Sequence, residues 1–443
     1  MKTIFVTSFF GLIARNILAT DFLKILRSRP DLRVVILTPE IKAENYRRLF
    51  GGSNVIVEGV PLPKPFFKDR FFTVLFHHLS DTAAWRIHRL IYRKSGGNLL
   101  LAGVYWLLSK LGYSKTVRRL ARWAEYRCLP KNRHRKLFEK YEPDLVFATD
   151  VFHEQDLDVM REAKSRGVKI IGMIRSWDNV TTKGLNRLIP DELVVNTEKI
   201  KEEAICYNDI APEKIRVVGI PHYDNYIREK RSSKEELFGK LGLDPRKKTV
   251  FFAPPSDIYA EGDPIAEVVV KALGRLDAQL LLRLYLVGGV DLGDIKPVSG
   301  KLAIDEPGSG SDFQQADLTS GDAHLADLLF HSDVVVAFAS TLAIDAVVFG
   351  KPVVFVGFDG TAGRSYWQSL RRFYDYDHQR SILKTGGVKL AGNTEELVGF
   401  VKDYLANPRL NEEGRRKIME ERCWKLDGKS GERLANFVLS HVG

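Results

Sequence analysis

The stretch from Ser332 to Val356, SDVVVAFASTLAIDAVVFGKPVVFV, most constrains what this chain can become. Asp333-Val334-Val335-Val336-Ala337 is a short apolar run of the kind that forms a strand buried on both faces. Ser340 and Thr341 are good N-cap types, and Ala343, Ala346, Val347 and Val348 continue as a packed helix. Gly350 ends that helix, and Lys351-Pro352 leads into a second strand, Val353 to Val356. Strand, turn, helix and strand in 25 residues require a parallel sheet covered by helices. The helix start also carries chemistry. Unpaired N–H groups, the positive end of the helix dipole and two hydroxyls suit a phosphate. Asp345, one turn deeper, is placed to accept hydrogen bonds from vicinal hydroxyls such as those of a ribose. The plainer reading is an ordinary αβ unit in which Ser340 is only a cap.

The same alternation recurs along the chain. Residues 2–7 read as a first strand, with a helix to about Leu26, and then strands at Leu32–Leu37 and Val55–Val57. The opening residues read as that strand rather than as a leader, because the helical pattern Asp21–Leu26 needs it to pack on. The pattern resumes with strands at Asp144–Ala148, Val168–Ile174, Leu193–Val195 and Ile215–Val218. A charged stretch, Arg228 to Lys234, reads as a linker. A second run follows, with strands at Thr249–Ala253 and Leu280–Val287, a Gly-, Ser- and Asp-rich loop from Asp305 to Asp322, and a strand and helix closing near Leu405. The expected fold is therefore α/β, with two facing Rossmann-like domains. Residues 1–230 make the first domain, 231–410 the second, and 411–443 a helical segment able to return to the first. Two such domains leave a cleft at the carboxyl ends of their strands.

Between Phe67 and Lys140 the alternation is interrupted by a basic helical insertion. It holds 17 Lys and Arg against 4 acids, whereas the whole 443-residue chain has a net charge of +11, so the remainder is near neutral. The cations are interleaved with Trp85, Tyr92, Leu99, Trp106, Leu120 and Trp123, a mixture suited to a helical surface on anionic lipid headgroups. No apolar run approaches the roughly 20 residues needed to span a bilayer. The expected location is cytoplasmic and peripheral, on the inner face of the cell membrane. No nucleic-acid motif accompanies the basic patch. Cys128, Cys206 and Cys423 match no metal spacing and read as buried thiols in a reducing compartment.

Four strand ends carry unusual polar residues. They are Arg175-Ser176-Trp177-Asp178-Asn179-Val180-Thr181-Thr182-Lys183-Gly184, Gly219-Ile220-Pro221-His222-Tyr223-Asp224, Ala253-Pro254-Pro255-Ser256, and Ser340-Thr341 with Asp345. In this order they resemble the CDP-glycerol glycerophosphotransferase family, the teichoic-acid polymerase type of the GT-B superfamily. That family shows Trp-His-Gly-Thr, Gly-Tyr-Pro-Arg-Asn-Asp, Tyr-Ala-Pro-Thr, a Ser pair with an Asp four residues on, and Phe-Tyr near an acidic pair, which Phe373-Tyr374-Asp375 matches here. The resemblance covers roughly residues 168–405. Asp178 stands where the family has its histidine, His222 where it has an arginine, and Phe338 where an acid precedes the Ser pair. Ser332 to Pro352 is also similar to the donor unit of UDP-N-acetylglucosamine 2-epimerases.

The resemblance implies a GT-B-type transferase that moves a sugar or glycerol-phosphate group to a hydroxyl acceptor, free or lipid-linked, in cell-surface polysaccharide or teichoic-acid-like polymer synthesis. No cofactor is expected to be bound; a nucleotide-diphosphate-activated donor is the substrate. Ser340, Thr341, Asp345, His222, Gly219, Ser256, Arg175 and Lys183 are the expected donor-binding residues. Asp178 is the first candidate for the base on the acceptor hydroxyl, and His153 with Glu154 the second. No metal site is expected, and Asp156-Leu157-Asp158 and Asp375-Tyr376-Asp377 read as solvated surface. The alternatives are a non-hydrolysing nucleotide-sugar 2-epimerase-like enzyme, or a catalytically degenerate GT-B protein that binds at a membrane.

Overall fold

The structure is a computed structural model and describes residues 1–62, 66–284, 289–306 and 320–442. The chain divides into two compact units, residues 1–227 with 424–443, and residues 228–423. The expected segment 411–443 is therefore not one piece. Its first helix, Glu412–Arg422, stays with the second unit, and its second, Ser430–Leu439, joins the first.

The first unit is built on seven strands: β1 (Lys2–Thr7), β2 (Leu32–Pro39), β3 (Val55–Val60), β4 (Leu145–Ala148), β5 (Lys169–Ile174), β6 (Glu192–Val195) and β7 (Ile215–Val217). All pair in parallel, in the order β3-β2-β1-β4-β5-β6-β7. Helices cover both faces, so the central strands read as apolar runs: Ile4, Phe5 and Val6 of β1 and all of β4 are fully buried. Each Ile, Leu, Val or Phe among them contributes about 1.5–3 kcal/mol relative to exposure. The order reverses between β1 and β4, which makes their carboxyl ends the topological switch point of this sheet.

The basic insertion lies between β3 and β4 as five helices, Phe67–His78, Ala83–Lys94, Leu99–Leu111, Lys115–Cys128 and Arg135–Tyr141. Phe72, Phe76, Leu79, Leu129 and Leu185 form its core, with Leu108, Val117 and Ala121 packed against them. A buried ion-pair network ties it to the rest of the unit. Arg161 pairs with Glu125 at 2.8 Å, Arg187 with Glu125 at 2.9 Å, and Arg133 with both Asp69 and Asp158 at 2.7 Å. Burial, helped by the neighbouring Glu154 charge, outweighs the two guanidiniums, and the Glu125 carboxyl stays above its ordinary range.

The second unit has six parallel strands, β8 (Thr249–Ala253), β9 (Gln279–Arg283), β10 (Leu302–Asp305), β11 (Val334–Ala337), β12 (Val353–Val356) and β13 (Val388–Ala391). Their order is β10-β9-β8-β11-β12-β13, with the switch point between β8 and β11. The strand expected over Leu280–Val287 is β9; residues 285–287 lie outside the described residues, as do 307–319 of the expected Asp305–Asp322 loop. β10 has no sequence signal, being four residues with only Ala303 and Asp305 buried. Gly350 takes a positive φ of 68° after the helix Leu342–Val348, the left-handed turn glycine makes without strain. The thiol reading is corrected: Cys423 is buried, but Cys128 and Cys206 are exposed.

Candidate functional site

In the first unit, the register Val6↔Phe147 brings the ends of β1 and β4 together. Thr149 donates its backbone N–H to the Thr7 hydroxyl at 2.9 Å, and its own hydroxyl donates to the Thr7 carbonyl at 2.9 Å. The Thr7 hydroxyl donates in turn to the carboxylate of Asp156, which is fully buried in the helix Glu154–Ser165. His153 sits at the start of that helix with Nδ1 3.3 Å from Asp156 Oδ2, and Phe9 stacks parallel to its ring at 6.5 Å. Beside it, Arg175 donates Nε to Asp150 at 2.6 Å and lies 3.7 Å from the centre of the Phe10 ring. Burial alone would lower the His153 imidazole. The Asp156 carboxylate beside Nδ1, with the charge of Asp150, outweighs burial and holds its pKa above the ordinary 6.5. The result is a histidine facing a buried carboxylate across 3.3 Å, with neither ring nitrogen making a protein hydrogen bond among the described residues.

The expected carboxylates occupy different places. Glu154, adjacent in sequence, pairs with Arg161 at 3.1 Å and also with Arg187, inside the buried ion network. Asp158 belongs to the same network, so Asp156 and Asp158 are interior residues and not solvated surface. Asp375 is tied to Arg380 at 2.8 Å and accepts from the Tyr366 hydroxyl. Asp178 precedes the four-residue helix Asn179–Thr182, and its side chain makes no capping hydrogen bond to it. Its carboxylate accepts from the hydroxyls of Ser176 and Thr182, and its carbonyl from Thr181 and Thr182. Its contacts are those of a residue organising its own turn. Lys183 lies exposed just after it.

The second motif is a clasp for the carboxy-terminal helix. Asp224 is buried, and its two carboxylate oxygens accept from the backbone N–H groups of Ser430 at 3.0 Å and Gly431 at 2.8 Å. Arg433 donates to the Val218 carbonyl at 2.8 Å. Gly219 has a φ of 91°, and a Cβ there would come 2.4 Å from the Ser430 hydroxyl. His222 follows with its Nδ1 buried and without a protein partner among the described residues, its ring packed edge-on to Tyr223 at 4.5 Å. A fraction of the residue remains at the surface, yet desolvation of the ring, with Arg15 nearby, pushes its pKa well below the ordinary value.

In the second unit, Ala253 of β8 pairs with Ala337 of β11. Ser256 and Ser340 each follow three residues beyond that pair, one on either side of the switch point. Ser256 is buried and its hydroxyl accepts from the Ile258 N–H at 3.3 Å. Ser340 is half-buried and accepts from the Leu342 N–H at 3.2 Å, whereas Thr341 is exposed and its side chain caps nothing. The cap is therefore Ser340, not the pair. Asp345 is half-buried and close enough to Cys423 that its charge adds to burial in raising that thiol. A cavity of about 450 Å³ opens near the ends of β12 and β13, lined by Arg371, Arg380 and Lys384 against Asp375. Neither Ser256 nor Ser340 lines it. Among the described residues no group of three or more His, Cys, Asp or Glu side chains is placed to hold a metal ion.

Sequence reasoning singled out His153 but missed Thr7, Thr149, Asp150 and Asp156. The signal available was Thr149-Asp150 directly after a buried strand. Asp156 is only three residues from His153, but Thr7, which donates to it, lies 149 residues away, and no local pattern reveals that contact.

No protein-family model matches the sequence, and comparison with curated proteins finds no match. The fold is similar to solved structures over its whole length. A putative UDP-N-acetylglucosamine 2-epimerase from Listeria monocytogenes is 14% identical, with 100% of this chain and 97% of that one covered and a TM-score of 0.56. The UDP-GlcNAc 2-epimerase from Neisseria meningitidis, bound to UDP-GlcNAc, is 13% identical, with coverage of 99% and 100% and a TM-score of 0.56. A variant of the wall teichoic acid polymerase TagF is 11% identical, with coverage of 100% and 89% and a TM-score of 0.52. The chain therefore has a GT-B-type α/β fold of two Rossmann-like units.

Proposed function

We propose that this chain is a GT-B-type transferase that moves a sugar or glycerol-phosphate group from a nucleotide-activated donor to a hydroxyl acceptor. The observation that carries the reading is the pair of hydroxyls, Ser256 and Ser340, set at matching register on the two sides of the second sheet's switch point. Open α/β sheets bind ligands at that place. Ser340, Ser256, Thr341 and the adjoining backbone would hold the donor phosphates, and Asp345 a hydroxyl pair. The structures of similar fold include one bound to UDP-GlcNAc and a wall teichoic acid polymerase, which supports a nucleotide-linked donor.

In the first unit, His153 is the group best prepared for acid–base work. Asp156 lies against Nδ1, which leaves Nε2 to take the proton of the acceptor hydroxyl as its oxygen attacks the donor; the bond to the leaving phosphate breaks and the nucleotide departs. Arg175 is the nearest cation, and Asp178 supports the turn beside it. General-base assistance of this kind contributes about 10²–10⁴-fold in rate. The acceptor class we favour is a growing cell-surface polymer. A second reading, a 2-epimerase-like enzyme, is supported by the whole-length likeness to two such structures. Donor-induced thermal stabilisation tests the first step. UDP- or CDP-linked donors should raise the melting temperature, and Ser256→Ala with Ser340→Ala should abolish the rise. No rise with any such donor would remove the reading.

A further inference from the structure

We propose that the helix Leu99–Leu111, with the exposed faces of the helices Phe67–His78 and Lys115–Cys128, docks on an anionic bilayer surface. The structure sorts the residues of the insertion in a way that its composition does not reveal. The helix Leu99–Leu111 is apolar on the side that faces water. Leu99 is 74% exposed, Leu100 83%, Trp106 60% and Leu107 52%, while Ser109 is its buried residue. A helix apolar all round belongs in a core or in lipid, and this one has its outer half in solvent. The helix Phe67–His78, which packs against it, adds Phe67 and Phe71 at i and i+4, 83% and 54% exposed. The helix Lys115–Cys128, packed on Phe67–His78, adds Leu120 and Trp123, 58% and 63% exposed.

The cations divide by face. Arg118 and Arg122 pair with Asp209, Arg89 with Asp81, and Arg133 with Asp69, all turned inward. Lys110, Lys115, Arg119 and Arg127 are exposed and have no acidic partner among the described residues, and the same holds for Lys68 and Arg70. On the helix Lys115–Cys128, Arg119, Leu120, Trp123 and Arg127 recur at helical spacing on one side. No acidic residue occurs between Asp81 and Glu125. Apolar side chains with unpaired cations beside them and no anions match the acyl–headgroup boundary of an anionic leaflet. A second copy of the chain fits less well, because a face-to-face pair would oppose Lys110, Lys115 and Arg119 to their like. The 13-residue helix Leu99–Leu111 is about 20 Å long against a hydrocarbon core of about 30 Å, so it lies in the plane. No helix among the described residues is long and apolar enough to cross a membrane.

The test is co-sedimentation of the full chain with phosphatidylglycerol–phosphatidylcholine vesicles and with phosphatidylcholine vesicles. Binding should favour the anionic vesicles and fall steeply with salt. Lys110→Gln, Arg119→Gln and Arg127→Gln together should weaken it about 100-fold, at about fivefold per cation. Leu100→Ser with Leu107→Ser should remove the binding that survives high salt. On the unaltered protein, brominated lipid should quench tryptophan emission, and Trp106→Phe with Trp123→Phe should abolish the quenching. Equal binding to both vesicle types, binding unaffected by the cation substitutions, or absence of quenching would overturn the proposal. So would a dimer that Leu100→Ser with Leu107→Ser converts to a monomer while vesicle binding persists, or tighter binding to a duplex oligonucleotide than to anionic vesicles.

Discussion

Asp224→Asn should release the carboxy-terminal helix from the first unit. In the native protein the Asp224 carboxylate accepts two backbone N–H groups, from Ser430 at 3.0 Å and Gly431 at 2.8 Å, at the start of the helix Ser430–Leu439. Asparagine keeps one acceptor and turns an NH₂ group toward the other N–H. A hydrogen bond to a charged acceptor is worth about 1.5–3 kcal/mol, and a charge at a partly buried helix N-terminus up to about 2 kcal/mol. These contributions overlap, so the expected loss is about 2–4 kcal/mol. For a unit of this size that lowers the melting temperature by about 5–15 °C. Gly219→Ala attacks the same clasp from the opposite side, since its Cβ would come 2.4 Å from the Ser430 hydroxyl and its φ of 91° disfavours a side chain. The assay is thermal melting combined with limited proteolysis of residues 424–442. Both variants should melt lower and be cut in that segment first. If Asp224→Asn melts like the native chain and the helix stays protected, the clasp does not hold it. If instead donor binding is lost at unchanged stability, the motif serves the donor.

Two further outcomes follow from titrating groups. The His153 imidazole should titrate above 6.5 in the native protein, and Asp156→Asn should bring it down; an unchanged midpoint by NMR would remove Asp156 as its orienting partner. The contribution of His153 to stability is present below pH 6.5 and lost as pH rises through the raised folded value. His77 and His78 behave in the opposite sense. Burial, together with the neighbouring His78 and Arg187 for the first and Arg89 for the second, lowers both to about 4. Their rings stack on Trp85 at 4.4 Å and Tyr105 at 3.6 Å, so they fasten three helices of the insertion. The folded state therefore loses stability as pH falls from 6.5 toward 4, and near-UV circular dichroism should report that loosening; a signal flat across this window would contradict it.

The alternation of β-branched runs with amphipathic helices made most of the strands legible. Val334–Val336 and Val353–Val356 are apolar at every position because helices cover both faces, and that pattern needs no partner to be recognised. β10 was illegible because its buried positions hold Ala303 and Asp305 while the larger apolar Leu302 and Ile304 are only half-buried. Ser256 and Ser340 were legible as candidates because each hydroxyl stands three residues past a strand end. It was not legible at Asp156 or Glu154. Both lie on one helix, yet Asp156 turns to Thr7 and His153, while Glu154 turns to Arg161 and Arg187. Which carboxylate meets which cation is decided by packing of residues far apart in sequence. The Gly219–Asp224 motif shows the converse. Its glycine and aspartate are explained by the close approach of the helix Ser430–Leu439, a partner more than 200 residues away.

The most direct test of the proposed reaction is the slow cleavage of activated donors without an acceptor, comparing the unaltered protein with His153→Gln and with Ser256→Ala plus Ser340→Ala. The products separate the readings, because water replaces the acceptor. A UDP-sugar releases UDP and free sugar, whereas CDP-glycerol releases CMP and glycerol phosphate. We expect one of these pairs from the unaltered protein. The serine variant should lose donor binding, and His153→Gln should bind donor normally but turn over about 10²–10⁴-fold more slowly. Inversion of UDP-N-acetylglucosamine at its C2 carbon with no free nucleotide, or no turnover of any bound donor, would contradict a transferase.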